Sequence, residues 1–253
     1  MSRKAGILIL IASYISLFLF GVLIGNFTTT LFYRLPRNIM ISGFNQKSTR
    51  PPFCSNCNHV LLFYEYLPIL SWFSTLGKCN YCHTPINKSY IALEILIGLI
   101  AIILYYLVGQ NLEYFFLYFC LGTLTILNIF IYLENNFIST KITLGIIITG
   151  IIYRTLTDQE IFVWLASLSL ACILSLWVIR ESMEDKNSYN YSKLLVHLIL
   201  PASLWCRYES VLLFIISVAL CYLFSKVIKY RIFYPLGIVN LFFISLFTFM
   251  AST

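Results

Sequence analysis

Apolar residues run along this chain in long blocks, not in the alternation of a half-buried strand or the single stripe of a surface helix. Blocks near residues 5–32, 90–108, 112–132, 138–153, 161–179, 194–205, 210–225 and 233–251 are each read as a membrane-crossing helix. Crossing a bilayer takes about 20 helical residues, so eight spans would occupy roughly 160 positions. The block 194–205 is short for a span and is read as tilted, partly buried or interfacial. Arg3 and Lys4 precede the first block as they would in a signal peptide. Its apolar run is too long for one and no small-residue cleavage site stands out, so it is read as a span. One sizeable polar stretch interrupts the pattern, Arg34 to Ser89. The expected fold class is therefore an all-α polytopic membrane protein: a first transmembrane helix at 1–33, a small polar module at 34–89, and about seven helices at 90–253.

Composition agrees. The 253 residues are 60% hydrophobic and 11% charged, against about 25% charged in a soluble domain. A soluble enzyme, a secreted disulfide scaffold and a disordered regulator are all excluded by that balance. The net charge of +7 is explained by topology. With eight spans, 13 of the 17 Lys and Arg residues fall on the side of the polar module, leaving Arg3, Lys4, Arg154 and Arg207 opposite. Basic loops stay cytoplasmic, so the module is expected in the cytoplasm and both termini across the membrane. The excess charge calls for no nucleic acid, and the lipid bilayer is the expected partner, with anionic lipid in contact with the basic loops.

The module carries Cys54-Ser-Asn-Cys57 and Cys79-Asn-Tyr-Cys82, two C-x2-C knuckles separated by 21 residues. Such a pair supplies four thiolates to one tetrahedral Zn²⁺. A module this small builds little core of its own, so a metal staple is physically sensible. Two disulfides are the competing reading, which a reducing cytoplasm disfavours. Four sulfurs leave no open position, so the zinc is read as structural. His59 and His83 follow the knuckles and are read as non-ligands, since four Cys complete the site. Cys120, Cys172, Cys206 and Cys221 lie in or at the ends of apolar blocks and are read as packing residues.

With these residues in view, the chain resembles the prepilin leader peptidase/N-methyltransferase family of type IV pilus and type II secretion systems. The resemblance runs through GNFTTTLFYRLP (Gly25 to Pro36), the two knuckles, FYEYLPILSW (Phe63 to Trp72) between them, Gly77-Lys-Cys79, Pro85-Ile86, Tyr90-x-x-x-Glu94 and YPLG (Tyr234 to Gly237). It implies an inner-membrane enzyme of two activities. A GxGD-type aspartic protease in the membrane cuts the leader from prepilins or pseudopilins. The zinc module is associated with methylation of the new N-terminus from S-adenosylmethionine. By the same resemblance Glu94 is a structural or pilin-contacting carboxylate, and Glu65 binds the incoming α-amine or orients the module.

The sequence departs from the family where the protease needs two aspartates. Aligned on the family patterns, Tyr132 falls on the first aspartate and Tyr191 on the second, and Ser188 and Asn190 replace the two glycines beside it. An aspartic dyad works because two adjacent carboxyls share one proton. Tyrosine, with a reference pKa near 10, cannot act as that base at neutral pH. Glu134 and Asp185 are the remaining carboxylates near the two positions, and pairing them would need both local backbones rebuilt. Asp158 falls on a loop expected outside the cytoplasm. The expected function is that of a protease-inactive family member, acting in prepilin binding or assembly or as a methyltransferase alone. The alternative is an active bifunctional enzyme with displaced catalytic groups. Oligomeric state is not legible in the sequence.

Overall fold

The structure is a computed structural model; it describes residues 3–39, 52–109, 111–157, 161–182, 186–206, 210, 213–218, 220 and 233–251. Among these residues the regular structure is helical, and the only β pairing is two isolated antiparallel bridges, Phe53 with Val60 and Lys78 with Pro85. The helices are α1 (Arg3–Arg34), α2 (Leu70–Ser74), α3 (Lys88–Val108), α4 (Leu112–Asn135), α5 (Thr140–Leu156), α6 (Ile161–Ser182), α7 (Lys186–Trp205) and α8 (Phe233–Met250). A single 3-10 turn, Phe63–Glu65, precedes α2. Residues 213–218 are also helical. Among the described residues three helices are long and apolar enough to cross a membrane, Ala5–Arg34, Lys88–Val108 and Leu112–Asn135, with 18-residue stretches at mean hydropathy 2.8, 2.6 and 2.0. Lys193–Trp205 and Tyr234–Met250 are apolar but shorter.

The chain divides into two compact units, Met1–Gly109 and Gln110–Thr253. In the first, α1 lies along α3. The close approach is made by small residues. A Cβ on Gly21 would stand 2.8 Å from the Gly98 Cα, and one on Gly25 would stand 2.7 Å from the Glu94 Cα. Gly21 and Gly25 are four residues apart, the spacing by which apolar helices bring their backbones together. The other face of α1 keeps Ile15, Leu19, Leu23 and Phe27 exposed, as a lipid-facing surface requires. The polar segment between α1 and α3 folds against their adjoining portions, as far along as Asn26 and Glu94. Asn87 caps α3 by accepting the Ser89 N–H through its side chain, which satisfies one of the unpaired donors of the first turn.

In the second unit α4 packs on α5 and α8, and α7 packs on α5, α6 and α8. Leu121, Leu127, Ile131, Ile146, Leu198, Leu204 and Ile238 are fully buried between them. An aromatic cluster of Tyr118, Tyr153 and Trp205 closes one end, with Tyr153 stacked on Trp205 at 4.9 Å. Arg154 donates to the carbonyls of Leu204 and Cys206 at the end of α7, where a cation is favoured by the helix dipole. The apolar block at 194–205 proves to be the second half of a longer helix, whose polar first half begins at Lys186 and which continues through Pro201. α4 ends at Asn136, which takes the left-handed conformation at φ 49°, a common way for Asn to terminate a helix.

Candidate functional site

The two knuckles adopt the same backbone turn. The Cys54 N–H donates to the His59 carbonyl and the Asn58 N–H to Cys54; likewise Cys79 donates to Thr84 and His83 to Cys79. The residue after the second cysteine of each knuckle is left-handed, Asn58 at φ 57° and His83 at φ 55°. Asn and His tolerate this region better than most residues, so His83 serves the turn. His59 lies against the Tyr81 ring at 3.4 Å. Together the turns bring Cys54, Cys57, Cys79 and Cys82 into one cluster whose Sγ atoms all lie within 4.8 Å of one another.

That geometry fits a metal ion. A tetrahedral zinc with Zn–S bonds of about 2.3 Å separates its sulfurs by about 3.8 Å, and Cys54 Sγ stands 3.8 Å from Cys82 Sγ. Hydrogen bonds from the Thr84 hydroxyl, the Thr84 backbone and Asn56 hold the Cys82 thiol down to about 5. The His59 backbone amide pulls Cys57 down, but desolvation and the three neighbouring thiols together outweigh it and push it up to about 11. Four thiolates this close repel one another, and a divalent cation removes the conflict by taking the place of their protons.

Beside the cluster is a cavity of about 300 Å³, lined by both knuckles and by the facing ends of α1 and α3. Two carboxylates line it, Glu65 and Glu94, with the rings of Tyr33, Tyr66, Trp72 and Tyr90. Glu65 is buried with both oxygens engaged: Oε2 accepts the Leu62 N–H at 2.9 Å and Oε1 accepts Asn80 Nδ2 at 3.0 Å. It thereby ties the exit of the first knuckle to the interior of the second. Glu94 Oε2 accepts the Ile69 N–H at 2.6 Å. Ile69 is the centre of a tight turn in which the Leu70 N–H reaches back to the Pro68 carbonyl, at φ 60°, ψ −51°. This is the strained form of the γ-turn, adverse for a β-branched residue, and the Glu94 carboxylate holds it. Asn26 Nδ2 donates to the Tyr66 carbonyl at 3.0 Å, fixing the same segment from α1. Trp72 Nε1 is buried without a partner.

Tyr132 and Tyr191 lie in the other unit. Tyr132 is buried, its ring 5.2 Å from that of Tyr234. Tyr234 accepts Asn128 Nδ2 at 2.7 Å, and Thr143 Oγ1 lies 2.7 Å from His197 Nδ1. Asn128, Thr143 and His197 were not singled out from the sequence, and Asn26, Trp72 and Tyr234 stood only within longer motifs; the available signal was an Asn and a His inside apolar helices, where polar side chains are costly and commonly functional. Tyr191 sits on the backbone of α7, and its side chain lies outside the described residues, as do Asp158, Asp185 and Cys221. Glu134 is exposed on the last turn of α4.

Residues 19–108 match the family model of the Bacterial Peptidase A24 N-terminal domain. The prepilin leader peptidase/N-methyltransferase of Vibrio cholerae serotype O1 is 30% identical over 123 residues, 46% of this chain and 49% of the relative. That of Myxococcus xanthus is 35% identical over 85 residues, 33% of this chain and 23% of the relative. That of Legionella pneumophila is 24% identical over 185 residues, 65% of this chain and 63% of the relative. The chain thus spans less than two thirds of the length of each. No solved structure matches. These comparisons support the prepilin leader peptidase/N-methyltransferase family for this chain, and the matched segment 19–108 contains all four clustered cysteines and the whole cavity lining.

Proposed function

We propose that this chain is a membrane-bound prepilin-handling protein of that family, which keeps the N-methylating module and lacks the aspartic peptidase. The reading rests on one contrast: the cysteine cluster and its two-carboxylate cavity are built and packed, whereas the position aligned with the first catalytic aspartate holds Tyr132, buried against Tyr234. Cys54, Cys57, Cys79 and Cys82 hold one structural zinc. The cavity takes S-adenosylmethionine and the pilin amino terminus. S-adenosylmethionine supplies an electrophilic methyl group when bound. Aromatic rings and carboxylates suit a sulfonium and an α-ammonium, since both are cations. With both oxygens engaged, Glu65 orients the module, and Glu94 together with Asn26 fixes the wall formed by Tyr66 to Ile69.

Glu94→Ala removes the acceptor of a strained turn, at a cost of about 1–3 kcal/mol for the buried donor left unpaired. The expected outcome is reduced methylation of a trimmed pilin at unchanged zinc content, with Glu94→Gln retaining most of the activity because its side-chain carbonyl still accepts the Ile69 N–H. Methyl incorporation and metal content, measured on the same preparations, check it. Equal loss in the Ala and Gln variants would assign Glu94 to the chemistry and not to the turn.

The same proposal places eight spans in a bacterial inner membrane, with the module in the cytoplasm and prepilins or pseudopilins as partners. Its support is the 13-to-4 division of basic residues and three helices of spanning length and hydropathy. Reporter fusions after Lys47, Lys186 and Lys229 are expected to report cytoplasm and a fusion at Asp158 the opposite side. A cytoplasmic Asp158 would overturn the topology.

A further inference from the structure

The first unit carries a cluster of exposed apolar side chains that neither the metal cluster nor the cavity uses. Leu62, Phe63, Tyr64, Leu70, Phe73 and Leu76 are 49–83% exposed. All lie in the segment joining the two knuckles. Two hydrogen bonds fix the depth of this segment against the membrane helices: Tyr66 is held by Asn26 and Ile69 by Glu94. Neither anchor is at a helix end. Asn26 is eight residues before the end of α1 and Glu94 six residues after the start of α3. At about 1.5 Å per residue the segment reaches roughly 9–12 Å down the helix pair. The first knuckle stays higher, because Phe53 packs on Tyr33, roughly 10 Å above Asn26 on the same helix.

The lipid-facing side chains of the two helices begin at the depth of the segment. Phe27 on α1, next to Asn26, is exposed, as is Leu96 on α3, two residues beyond Glu94. The turn from Tyr66 to Ile69 is therefore level with the rim of the apolar belt. Exposed Lys78 and Lys88 follow it in the chain, and exposed Tyr64 lies within it. Aromatic and basic side chains are the residues that settle at a membrane–water interface.

We propose that Leu62 to Leu76 is a wedge seated in the bilayer interface, with Phe63, Leu70, Phe73 and Leu76 immersed among the upper acyl chains. In that seat its exposed apolar side chains meet the same lipid as the exposed faces of α1 and α3. The wedge fixes the height of the knuckles above the membrane, and Phe63, Leu70, Phe73 and Leu76 are not among the side chains that line the cavity. It supplies an interfacial anchor of the kind that binds by buried apolar area together with attraction to anionic lipid.

The test uses the full chain in vesicles of phosphatidylcholine and phosphatidylglycerol that contain a phospholipid with a photoactivatable diazirine on its acyl chain. After illumination, lipid adducts are mapped by mass spectrometry. Adducts are expected at Leu70, Phe73 and Leu76 in yields comparable with those at Phe27 and Leu96, falling to background at Cys57 and Asn58 on the first knuckle. Adducts confined to α1 and α3, with background yield across the wedge, would overturn the proposal and leave the patch to an apolar protein partner.

Discussion

Replacing Cys79 by Ser is expected to remove the metal and the fold of the module together, while leaving α1 packed on α3. Cys79 is the buried member of the cluster, and its knuckle joins α3 through Pro85 to Asn87. Structural zinc supplies apparent binding free energies of about 10–16 kcal/mol in zinc-finger peptides. Besides the ion, the segment is held by two isolated bridges, a five-residue helix and the side-chain hydrogen bonds of Asn26, Glu65 and Glu94. Losing one ligand of four therefore removes the largest single hold on the two knuckles. The helix pair is independent of the ion, being held by close packing at Gly21, Gly25 and Gly98. Metal analysis of the parent chain is expected to give about one zinc per chain, as for any single four-Cys site, and the variant close to none. Limited proteolysis is expected to cut the variant within 52–86. A His59→Ala chain is expected to keep its zinc. Two intact disulfides and no metal in the parent chain would refute the site.

The second large effect expected from the proposed function is an absence of peptidase activity. An aspartic mechanism needs one carboxylate to deprotonate water and a second, protonated one to serve as acid. On the alignment the proposal rests on, Tyr132, whose ring is packed on Tyr234, and Tyr191 stand at the two aspartate positions and offer only phenols. Acid–base catalysis alone contributes about 10²–10⁴-fold, and water activation is lost with it. In a host deleted for its own prepilin peptidase, the chain is expected to leave prepilin at full length while still co-purifying with it. Leader removal that disappears in Glu134→Ala or Asp185→Ala would instead establish a displaced dyad.

The membrane helices were legible because hydropathy records burial in lipid directly. The blocks at 5–32, 90–108 and 112–132 correspond to α1, α3 and α4 within three residues at each end. The same signal misread α7, whose first half is polar yet helical, because hydropathy reports environment and not backbone conformation. The cysteine cluster was legible because four thiols at knuckle spacing have few other uses. The roles of Glu65 and Glu94 were not. Motif similarity singled both out, but what each holds is a tertiary fact. Glu94 meets Ile69 25 residues earlier in the chain and stabilises a turn that Ile disfavours. Local propensity argues against that turn, so no local reading finds it. The paired contacts Asn128 with Tyr234 and Thr143 with His197 span 106 and 54 residues. The polar residues were visible in apolar helices, but their partners were not.

The most direct test of the central claim is the N-terminal mass of pilin after incubation with the purified, zinc-loaded chain in vesicles with S-adenosylmethionine, run in parallel on full-length prepilin and on pre-trimmed pilin. The account requires the trimmed pilin to gain one methyl group on its N-terminal amine and the prepilin to keep its leader. Prepilin converted to trimmed pilin, or trimmed pilin left unmethylated by a chain that retains its zinc, would contradict it.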